Sequence, residues 1–382
     1  MNTIKLSATF DENVTNNENT NELILKITSN YNLPRALRNK FALLVSIDEA
    51  LPAGFPIGIT RKNLSQNNII KLSADLEYLN DGDIIKVNTK ANHIRVIYRA
   101  SSRFNFFLLT ERCNHYCLMC SQPPKNINDS WHLQDVSKAI ELIDRGSPFI
   151  GITGGEPTLL GDDLVDLIRK SNGYLPETPV LILTNGRKFI DENYVQKISQ
   201  IKHRDLTFAI PLYSDTPHIH DYVVQANGAF DETVKGILKL KEYNQKIQLR
   251  IVLHKQTYER LPQLAEYIYR NMAFIDHIAL MGLEIIGFTK ANLNQLWIDP
   301  IEYSDKLEEA TLYLSRMGMN VSIFNHQLCT MPKSIWGYSV KSISDWKNNF
   351  IDECKNCSVK SECGGFFTTS GITRSAGIKA IL

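Results

Sequence analysis

From residue 104 onward, short apolar runs alternate with longer stretches in which apolar residues recur at helical spacing. In 231–243, for example, Val234, Ile237 and Leu238 fall on one stripe of a predicted helix. Strands joined by helical crossovers lie parallel, and right-handed crossovers curl six of them into an incomplete barrel. The pattern therefore predicts an α/β fold, an incomplete (βα)6 barrel of the TIM type. The predicted strands are 104–110, 148–153, 179–184, 206–212, 247–254 and 277–286.

The segments on either side of this pattern differ from it. Residues 1–100 contain short β-branched stretches such as Glu22–Ile27 and Ile84–Val87, separated by Asn, Gly and Pro, and predict a small β-rich domain. Near residue 299, Asp299-Pro300 is typical of a helix start, and the predicted helix runs to about Met317. A strand at Val321–Phe324 follows. We therefore predict three domains, at 1–100, 101–298 and 299–382.

Composition narrows the possible partners. The chain has 382 residues and a formal net charge of +1, so no overall field favours nucleic acid or an anionic membrane. No apolar run reaches the eighteen or so residues that a spanning helix needs, and the N-terminus lacks a secretory pattern. Seven cysteines, clustered as three and four, suit metal binding in a reducing compartment better than disulfides. A cytoplasmic protein is expected.

The first cysteine group is Cys113, Cys117 and Cys120, in the string LTERCNHYCLMC. Three close thiolates suit a cubane iron-sulfur cluster that leaves one iron open for another ligand. The alternative is three unrelated buried thiols in a loop. In a parallel barrel the working groups lie at the C-terminal ends of strands, and this group directly follows the first predicted strand.

Further polar residues follow the next strands. After the second strand come Gly154, Gly155, Glu156 and Pro157; the glycines would let a ligand approach the backbone, and the carboxylate would bind an ammonium group. The alternative for this string is a tight turn before a helix. Asn185 follows the third strand, either as a cofactor contact or as part of a plain Asn-Gly turn.

The fourth to sixth strands add less specific candidates. Ser214 follows the fourth strand, where a hydroxyl is also common in a loop. On the fifth strand, alternation puts Gln248, Arg250 and His254 opposite an apolar face, so this polar set is predicted to line the barrel cavity. Arg250 would contact a carboxylate or form a structural ion pair. Glu284 is a similar candidate on the sixth strand, whereas His220 and Asp221 are predicted to cap a following segment.

The second cysteine group comprises Cys329, Cys354, Cys357 and Cys363. Four thiolates close a metal site, and this number fits either structural zinc or a 4Fe-4S cluster. The spacing alone fits a zinc ion and a 4Fe-4S cluster equally well.

The three cysteines, followed some 35 residues later by Gly-Gly-Glu-Pro, resemble the signature of the radical S-adenosylmethionine (SAM) superfamily. This resemblance implies a SAM-binding 4Fe-4S cluster on Cys113, Cys117 and Cys120, whose open iron SAM chelates. It also implies that Gly154 to Pro157 bind the methionine amino group, and that Ser214 and Arg250 contact the SAM ribose or carboxylate. Met119 stands where the superfamily usually has an aromatic residue on the adenine; its thioether can cover a ring face.

The spacing of Cys354, Cys357 and Cys363 after such a barrel resembles the twitch and SPASM extensions, which implies a second, auxiliary 4Fe-4S cluster. A full SPASM extension holds two clusters, and Phe367 stands where its next cysteine would fall. The strings 281–284, 296–300 and 342–347, with the tail to Phe367, look most like the maturases of His-Xaa-Ser repeat peptides.

The resemblance implies a peptide maturase that generates a 5'-deoxyadenosyl radical to modify a ribosomally made precursor peptide. Its expected partners are that peptide, an electron donor such as flavodoxin or ferredoxin, and a partner maturase. Two alternatives stay open. One is a radical SAM enzyme that acts on a small metabolite or activates a partner protein, and the other is a non-catalytic metal-binding scaffold whose N-terminal β domain grips a partner.

Overall fold

A computed structural model describes residues 5–10, 22–46, 50–64, 66–341, 349–367, 371 and 373–382. The string 342–347 noted above lies outside these residues. The N-terminal segment forms a mixed seven-stranded sheet in the order β1-β7-β6-β2-β3-β4-β5. The predicted stretches Glu22–Ile27 and Ile84–Val87 correspond to β2 and β6. The strands are β1 (Ser7–Thr9), β2 (Glu22–Thr28), β3 (Phe41–Leu44), β4 (Ile57–Thr60), β5 (Ile69–Lys71), β6 (Ile84–Asn88) and β7 (His93–Tyr98).

The remainder of the described chain is built on an eight-stranded parallel sheet whose spatial order follows the sequence. All six predicted strands are present in it. The strand predicted at Val321–Phe324 joins the same sheet as β14, so the sheet extends past the sixth barrel strand. The strands are β8 (Asn105–Leu108), β9 (Ile150–Thr153), β10 (Val180–Leu183), β11 (Leu206–Pro211), β12 (Lys246–Leu253), β13 (His277–Gly282), β14 (Val321–Phe324) and β15 (Ser339–Val340).

Helices fill most intervals between these strands and cover the outer face of the curled sheet, where their apolar stripes join the main core. The helix predicted to start at Pro300 begins as a 3-10 turn, Pro300–Tyr303, with Asp299 and Glu302 forming a capping box. The α-helices are α1 (Trp131–Ile140), α2 (Asp162–Tyr174), α3 (Glu192–Ser199), α4 (Pro217–Val224), α5 (Ala229–Glu242), α6 (Leu261–Met272), α7 (Phe288–Ala291), α8 (Leu293–Leu296) and α9 (Ser304–Arg316).

Strand β12 shows how the sheet separates its core from its interior space. Ile247, Leu249 and Ile251 are buried against the helices, while Gln248 and Arg250 line an internal cavity of about 750 Å³. The cavity-lining face of this strand was predicted correctly. His254 does not share it, because it lies beyond the strand end and is fully buried.

The N-terminal sheet packs against helix α1 through a charged cluster. Asp135 on α1 accepts hydrogen bonds from Lys86 at 3.0 Å and from Arg95 at 2.5 Å. Both cations also lie over the ring of Trp131, at 5.3 and 4.7 Å from its centroid. These contacts fix β6 and β7 to the first helix of the barrel. Among the helices of the described residues, none is long and apolar enough to span a membrane.

Candidate cofactor site

The loop that carries the first three cysteines begins directly after β8, and its two ends are held together by Asp129. This carboxylate is almost fully buried. Its Oδ2 accepts hydrogen bonds from Thr110 Oγ1 at 2.8 Å and from the Glu111 backbone N–H at 2.5 Å. The intervening residues 110–129 are therefore a closed loop at the C-terminal end of the strand, referred to below as the cysteine loop.

Two further segments hold the outer side of the cysteine loop. The backbone N–H groups of Tyr116 and Leu118 donate to the carbonyls at the end of α4, at 3.1 and 2.9 Å. From the other side, Asn292 Nδ2 donates to the Leu118 carbonyl at 2.8 Å, and the Phe288 N–H donates to the Cys120 carbonyl at 2.9 Å. The loop backbone is thus fixed by hydrogen bonds on both sides.

The three thiols of this loop are free and partly buried. Burial raises the pKa of Cys113 to about 12, and it raises the pKa of Cys117, where charge on Cys120 and Cys113 adds to the effect. Each thiol would therefore stay neutral without a nearby cation. A bound iron ion removes that proton, and three soft sulfur donors are the ligands that iron-sulfur clusters use. The donor set fits such a cluster.

The glycine pair after β9 packs directly on the cysteine loop. Gly155 N–H donates to the Thr110 carbonyl at 2.7 Å, and Glu156 N–H donates to the Arg112 carbonyl at 2.8 Å. A Cβ at Gly154 would lie 2.8 Å from the Thr110 oxygen, and one at Gly155 would overlap the Arg112 carbonyl. Both glycines are therefore required by a backbone contact between two loops, a different reason from the close ligand approach that the sequence suggested.

The carboxylate of Glu156 is fully buried and accepts four hydrogen bonds from the protein. Oε1 accepts from Thr158 N at 2.9 Å, Thr158 Oγ1 at 2.6 Å and Thr184 Oγ1 at 2.7 Å. Oε2 accepts from Asn185 N at 2.6 Å. Burial raises the pKa of this carboxyl although these hydrogen bonds oppose the shift. A carboxylate has about four lone-pair sites, so the structure assigns this side chain to joining the ends of β9 and β10.

Asn185 extends the same set of contacts into the cysteine loop. Its Nδ2 donates to Asn114 Oδ1 at 2.6 Å, and its Oδ1 accepts from Arg187 N at 3.1 Å. Ser214 is buried after β11, where its Oγ lies 3.0 Å from Thr216 Oγ1 and accepts from Thr216 N at 3.2 Å. Asn185 therefore contacts the candidate site directly, whereas the hydroxyl of Ser214 is engaged in a local turn.

Met119 is buried in an apolar cluster that also contains Tyr213, Val223 and Leu296. Tyr213 was not among the residues chosen from the sequence. Burial raises its pKa well above the usual value, with charge on Cys117 and Cys120 adding to this effect and Arg250 opposing it. The ring therefore lies between the cysteine loop and β12. The available signal was an aromatic residue directly after a barrel strand, one position before Ser214.

The predicted capping role of Asp221 is confirmed. Its two carboxylate oxygens accept from the backbone N–H groups of Gly228 at 2.6 Å and Phe230 at 2.8 Å, at the start of α5. His220 is fully buried, and its Nδ1 accepts from Tyr213 N at 3.3 Å. Glu284 lines the internal cavity.

The second cysteine group comes together around a small cavity of about 20 Å³, which all four of its members line. Several of these sulfurs accept backbone hydrogen bonds: Cys357 from Ile381 N at 3.5 Å, Cys363 from Gly365 N at 3.5 Å, and Cys329 from Lys379 N. Within the described ranges, no three His, Cys, Asp or Glu side chains converge as ligands of a single ion. A cubane cluster takes each thiolate on a different iron, and its sulfurs accept such N–H bonds.

Residues 107–268 match the model of the Radical SAM superfamily. The barrel segment of this chain is therefore similar to that superfamily. The match begins within β8 and ends within α6. It includes the first three cysteines and the glycine pair, and it stops before the second cysteine group.

Individual relatives are distant. The chain is 27% identical over 165 residues to Fe-coproporphyrin III synthase of Methanosarcina barkeri, which covers 42% of this chain and 39% of that protein. It is 28% identical over 181 residues to GTP 3',8-cyclase of Campylobacter jejuni subsp. doylei, covering 45% of this chain and 54% of the relative. The chain thus spans about half or less of the length of these relatives. Among solved structures, Streptococcus suis SuiB bound to S-adenosylmethionine aligns with a TM-score of 0.49 at 18% identity, covering 65% of this chain and 55% of SuiB.

Proposed function

We propose that this chain is a radical SAM enzyme that modifies a ribosomally made peptide. The observation that carries the first part is the joining of the cysteine loop to the glycine pair: Gly155 and Glu156 donate backbone hydrogen bonds to Thr110 and Arg112 on either side of the first turn of the loop. This contact brings three thiols and the Gly154–Pro157 string together at the rim of the barrel.

In this proposal Cys113, Cys117 and Cys120 hold a 4Fe-4S cluster, which when bound supplies the electron that cleaves SAM to a 5'-deoxyadenosyl radical. The chain's own residues bind SAM and orient it. Gly154 and Pro157 flank the methionine end of SAM, Met119 covers the adenine, and Asn185 contacts polar atoms of SAM. The hydroxyl of Ser214, predicted to be a SAM contact, stays in its local turn. Glu156 is assigned to holding this rim in shape, because its carboxylate already accepts four hydrogen bonds from the protein.

The second group, Cys329, Cys354, Cys357 and Cys363, is proposed to hold an auxiliary 4Fe-4S cluster rather than zinc. The support is the set of backbone N–H donors directed at its sulfurs, which is the environment that tunes cluster potentials. Iron analysis tests this directly. About eight irons per reconstituted chain are expected for two cubanes, and four irons with one zinc would contradict the auxiliary cluster.

The peptide substrate is proposed to be a His-Xaa-Ser repeat peptide, on the resemblance of the strings around Met281, Leu296 and Cys363 to those maturases. An electron donor such as flavodoxin or ferredoxin would reduce the clusters. Co-expression of the chain with such a peptide, followed by mass spectrometry, should give a peptide whose mass has changed. An unchanged peptide mass, alongside active SAM cleavage, would contradict this substrate.

A second candidate is a radical SAM enzyme that acts on a small molecule. Two observations favour it: the cavity of about 750 Å³ is of the size that small ligands occupy, and the relatives named above are a GTP 3',8-cyclase and an Fe-coproporphyrin III synthase. The peptide co-expression experiment separates the two candidates, because a small-molecule enzyme would leave the peptide unmodified.

A further inference from the structure

The internal cavity contains a guanidinium that no carboxylate of the described residues neutralises. Arg250 lies on β12 and lines the cavity. One of its nitrogens, Nη2, is 3.2 Å from the thioether sulfur of Met281, which is a weak acceptor. A guanidinium carries five N–H donors, and this weak contact occupies one of them.

The surroundings of Arg250 disfavour its positive charge unless a counter-ion lies in the cavity. Burial lowers the pKa of the guanidinium, so the protein environment disfavours its charge. Two acidic residues, Asp276 and Glu284, line the same cavity. Asp276 accepts a hydrogen bond from Ile247 N at 2.8 Å, one residue after the start of β12. A buried charge without a partner is usually completed by a ligand.

Below Arg250 the cavity contains a neutral polar pair. Gln248 Nε2 lies 2.7 Å from His277 Nδ1, and His277 Nε2 lies 3.0 Å from Ser322 Oγ. Burial lowers the pKa of His277, and the nearby Arg250 lowers it further, so this imidazole is neutral at pH 7. Arg250 is therefore the cation of β12 to which an anion in this space would bind, and Arg99 is a second cation that lines the same cavity. Most of the remaining wall is apolar: Phe106, Phe149, Leu181, Leu183, Met281 and Phe324.

Arg250 lies deeper in the barrel than the candidate SAM site. The cysteine loop and the glycine pair follow β8 and β9, whereas β12 is the third neighbour of β9 in the sheet. Arg250 also lies three residues before the end of its strand, which is about 10 Å deeper in the barrel at the usual rise of a strand. The cavity also reaches the cysteine loop, because Ser121 and Gln122 line it. A ligand bound at Arg250 would therefore lie in the barrel interior below the rim.

We infer that Arg250 anchors a substrate subsite in the barrel interior that binds a carboxylate carried on an apolar group. In a peptide substrate this would be an acidic side chain or a chain terminus beside apolar residues. The inference rests on the proposed function for the identity of the substrate, but binding of the carboxylate does not require SAM cleavage. The carboxylate of SAM itself is the other source of the same chemistry.

The test uses octanoate as the probe and 1-octanol as its uncharged counterpart, on the full chain with its iron-sulfur centres loaded. The wild-type protein should bind octanoate at least tenfold more tightly than 1-octanol by calorimetry. Arg250→Met should lose this preference, whereas Arg250→Lys should keep part of it. The tenfold preference for octanoate corresponds to about 1.4 kcal/mol of binding free energy. The SAM dissociation constant should change less than about twofold in Arg250→Met.

Three results would overturn the inference. The first is equal binding of octanoate by wild type and Arg250→Met, and the second is no octanoate binding by wild type. The third is a large loss of SAM affinity in Arg250→Met, which would assign Arg250 to the SAM carboxylate. If Arg250→Met fails to fold, Arg250→Gln carries the test, because it removes the charge but keeps a polar side chain; an undiminished octanoate preference in Arg250→Gln would overturn the inference. A failure of SAM cleavage would leave these binding results interpretable, so the two proposals fail separately.

Discussion

The carboxylate of Glu156 accepts a hydrogen bond from the backbone N–H of Asn185 at 2.6 Å. The side chain of Asn185 in turn donates to Asn114, inside the cysteine loop, at 2.6 Å. A continuous chain of contacts therefore runs from the loop after β9, through the end of β10, to the loop after β8. Glu156 supports the cysteine loop in the protein alone, before any cofactor is bound.

Replacing Glu156 with Gln should destabilise the protein in the absence of SAM and iron. Both carboxylate oxygens accept hydrogen bonds, so the amide NH2 would face at least one buried N–H donor. Leaving such a donor without an acceptor costs about 1–3 kcal/mol in the free energy of unfolding. Urea denaturation of the metal-free protein measures this value.

The matched control is Glu309→Gln, on the exposed face of α9. It should change the free energy of unfolding by less than about 0.5 kcal/mol. An apoprotein whose stability is the same in Glu156→Gln and wild type would contradict the supporting role and return Glu156 to a direct cofactor contact.

Gly155→Ala should prevent formation of the first cluster. The added methyl group would overlap the Arg112 carbonyl, so the cysteine loop would have to move away from the glycine pair. We expect the variant to fold with the iron of the second site and to lose the iron of the first, measured by iron content and absorbance. Gly173→Ala on α2 is the control, because nothing lies within 4 Å of the new methyl group. That change should stabilise the protein by about 0.5–1 kcal/mol; full iron loading of Gly155→Ala would contradict the packing argument.

Stability should fall as the pH is lowered from 7 toward 4. Burial lowers the pKa of His220 and His326 to about 4 and that of His254 to about 3. Below pH 6.5 the unfolded chain binds protons that the folded chain does not, so the free energy of unfolding decreases with falling pH. Each histidine contributes up to about 1.4 kcal/mol per pH unit, over the window from about 6.5 down to its folded pKa.

His254→Asn should make this dependence less steep, since it removes one such group. Urea denaturation at pH 7, 6 and 5 measures the slope, and substitution of the exposed His218 serves as the control. The same slope in wild type and His254→Asn would show that this buried histidine does not contribute.

Ile381→Pro should lower the midpoint potential of the auxiliary cluster. The Ile381 N–H donates to Cys357 Sγ at 3.5 Å, and hydrogen bonds to cluster sulfurs favour the more negative, reduced state. Proline removes that donor. Ala380→Pro is the neighbouring control. A redox titration followed by electron paramagnetic resonance should show a negative shift only in Ile381→Pro, and equal potentials in both variants would contradict the assignment of this donor.

The order and type of the barrel elements could be predicted from the sequence, because the strands are short apolar runs and the helices between them have apolar residues at helical spacing. The alternation along Ile247–Leu253 correctly placed Arg250 in the cavity. The strand Val321–Phe324 was also predicted, but its membership of the barrel sheet was not, because pairing partners are set by long-range packing. The seven-stranded order of the N-terminal sheet was likewise beyond reach of a local pattern.

The candidate site was predicted as a set of residues, whereas its internal contacts were not. The cysteine spacing indicates metal ligands. Nothing in the string GITGGEPT, however, indicates that the carboxylate of Glu156 accepts hydrogen bonds from Thr184 and Asn185. Tyr213 was missed for a similar reason, since a single aromatic residue after a strand has no period. The contacts of these side chains are made with residues that are distant in sequence.

In the proposed function, Cys113, Cys117 and Cys120 form the centre that cleaves SAM. The most direct measurement is 5'-deoxyadenosine production by the anaerobically reconstituted protein with dithionite and SAM, followed by mass spectrometry. Wild type and Cys357→Ala should both produce 5'-deoxyadenosine, whereas Cys113→Ala, Cys117→Ala and Cys120→Ala should each produce none. Absence of product from wild type, or undiminished product from any of the three loop variants, would show that these cysteines do not form the SAM-cleaving centre.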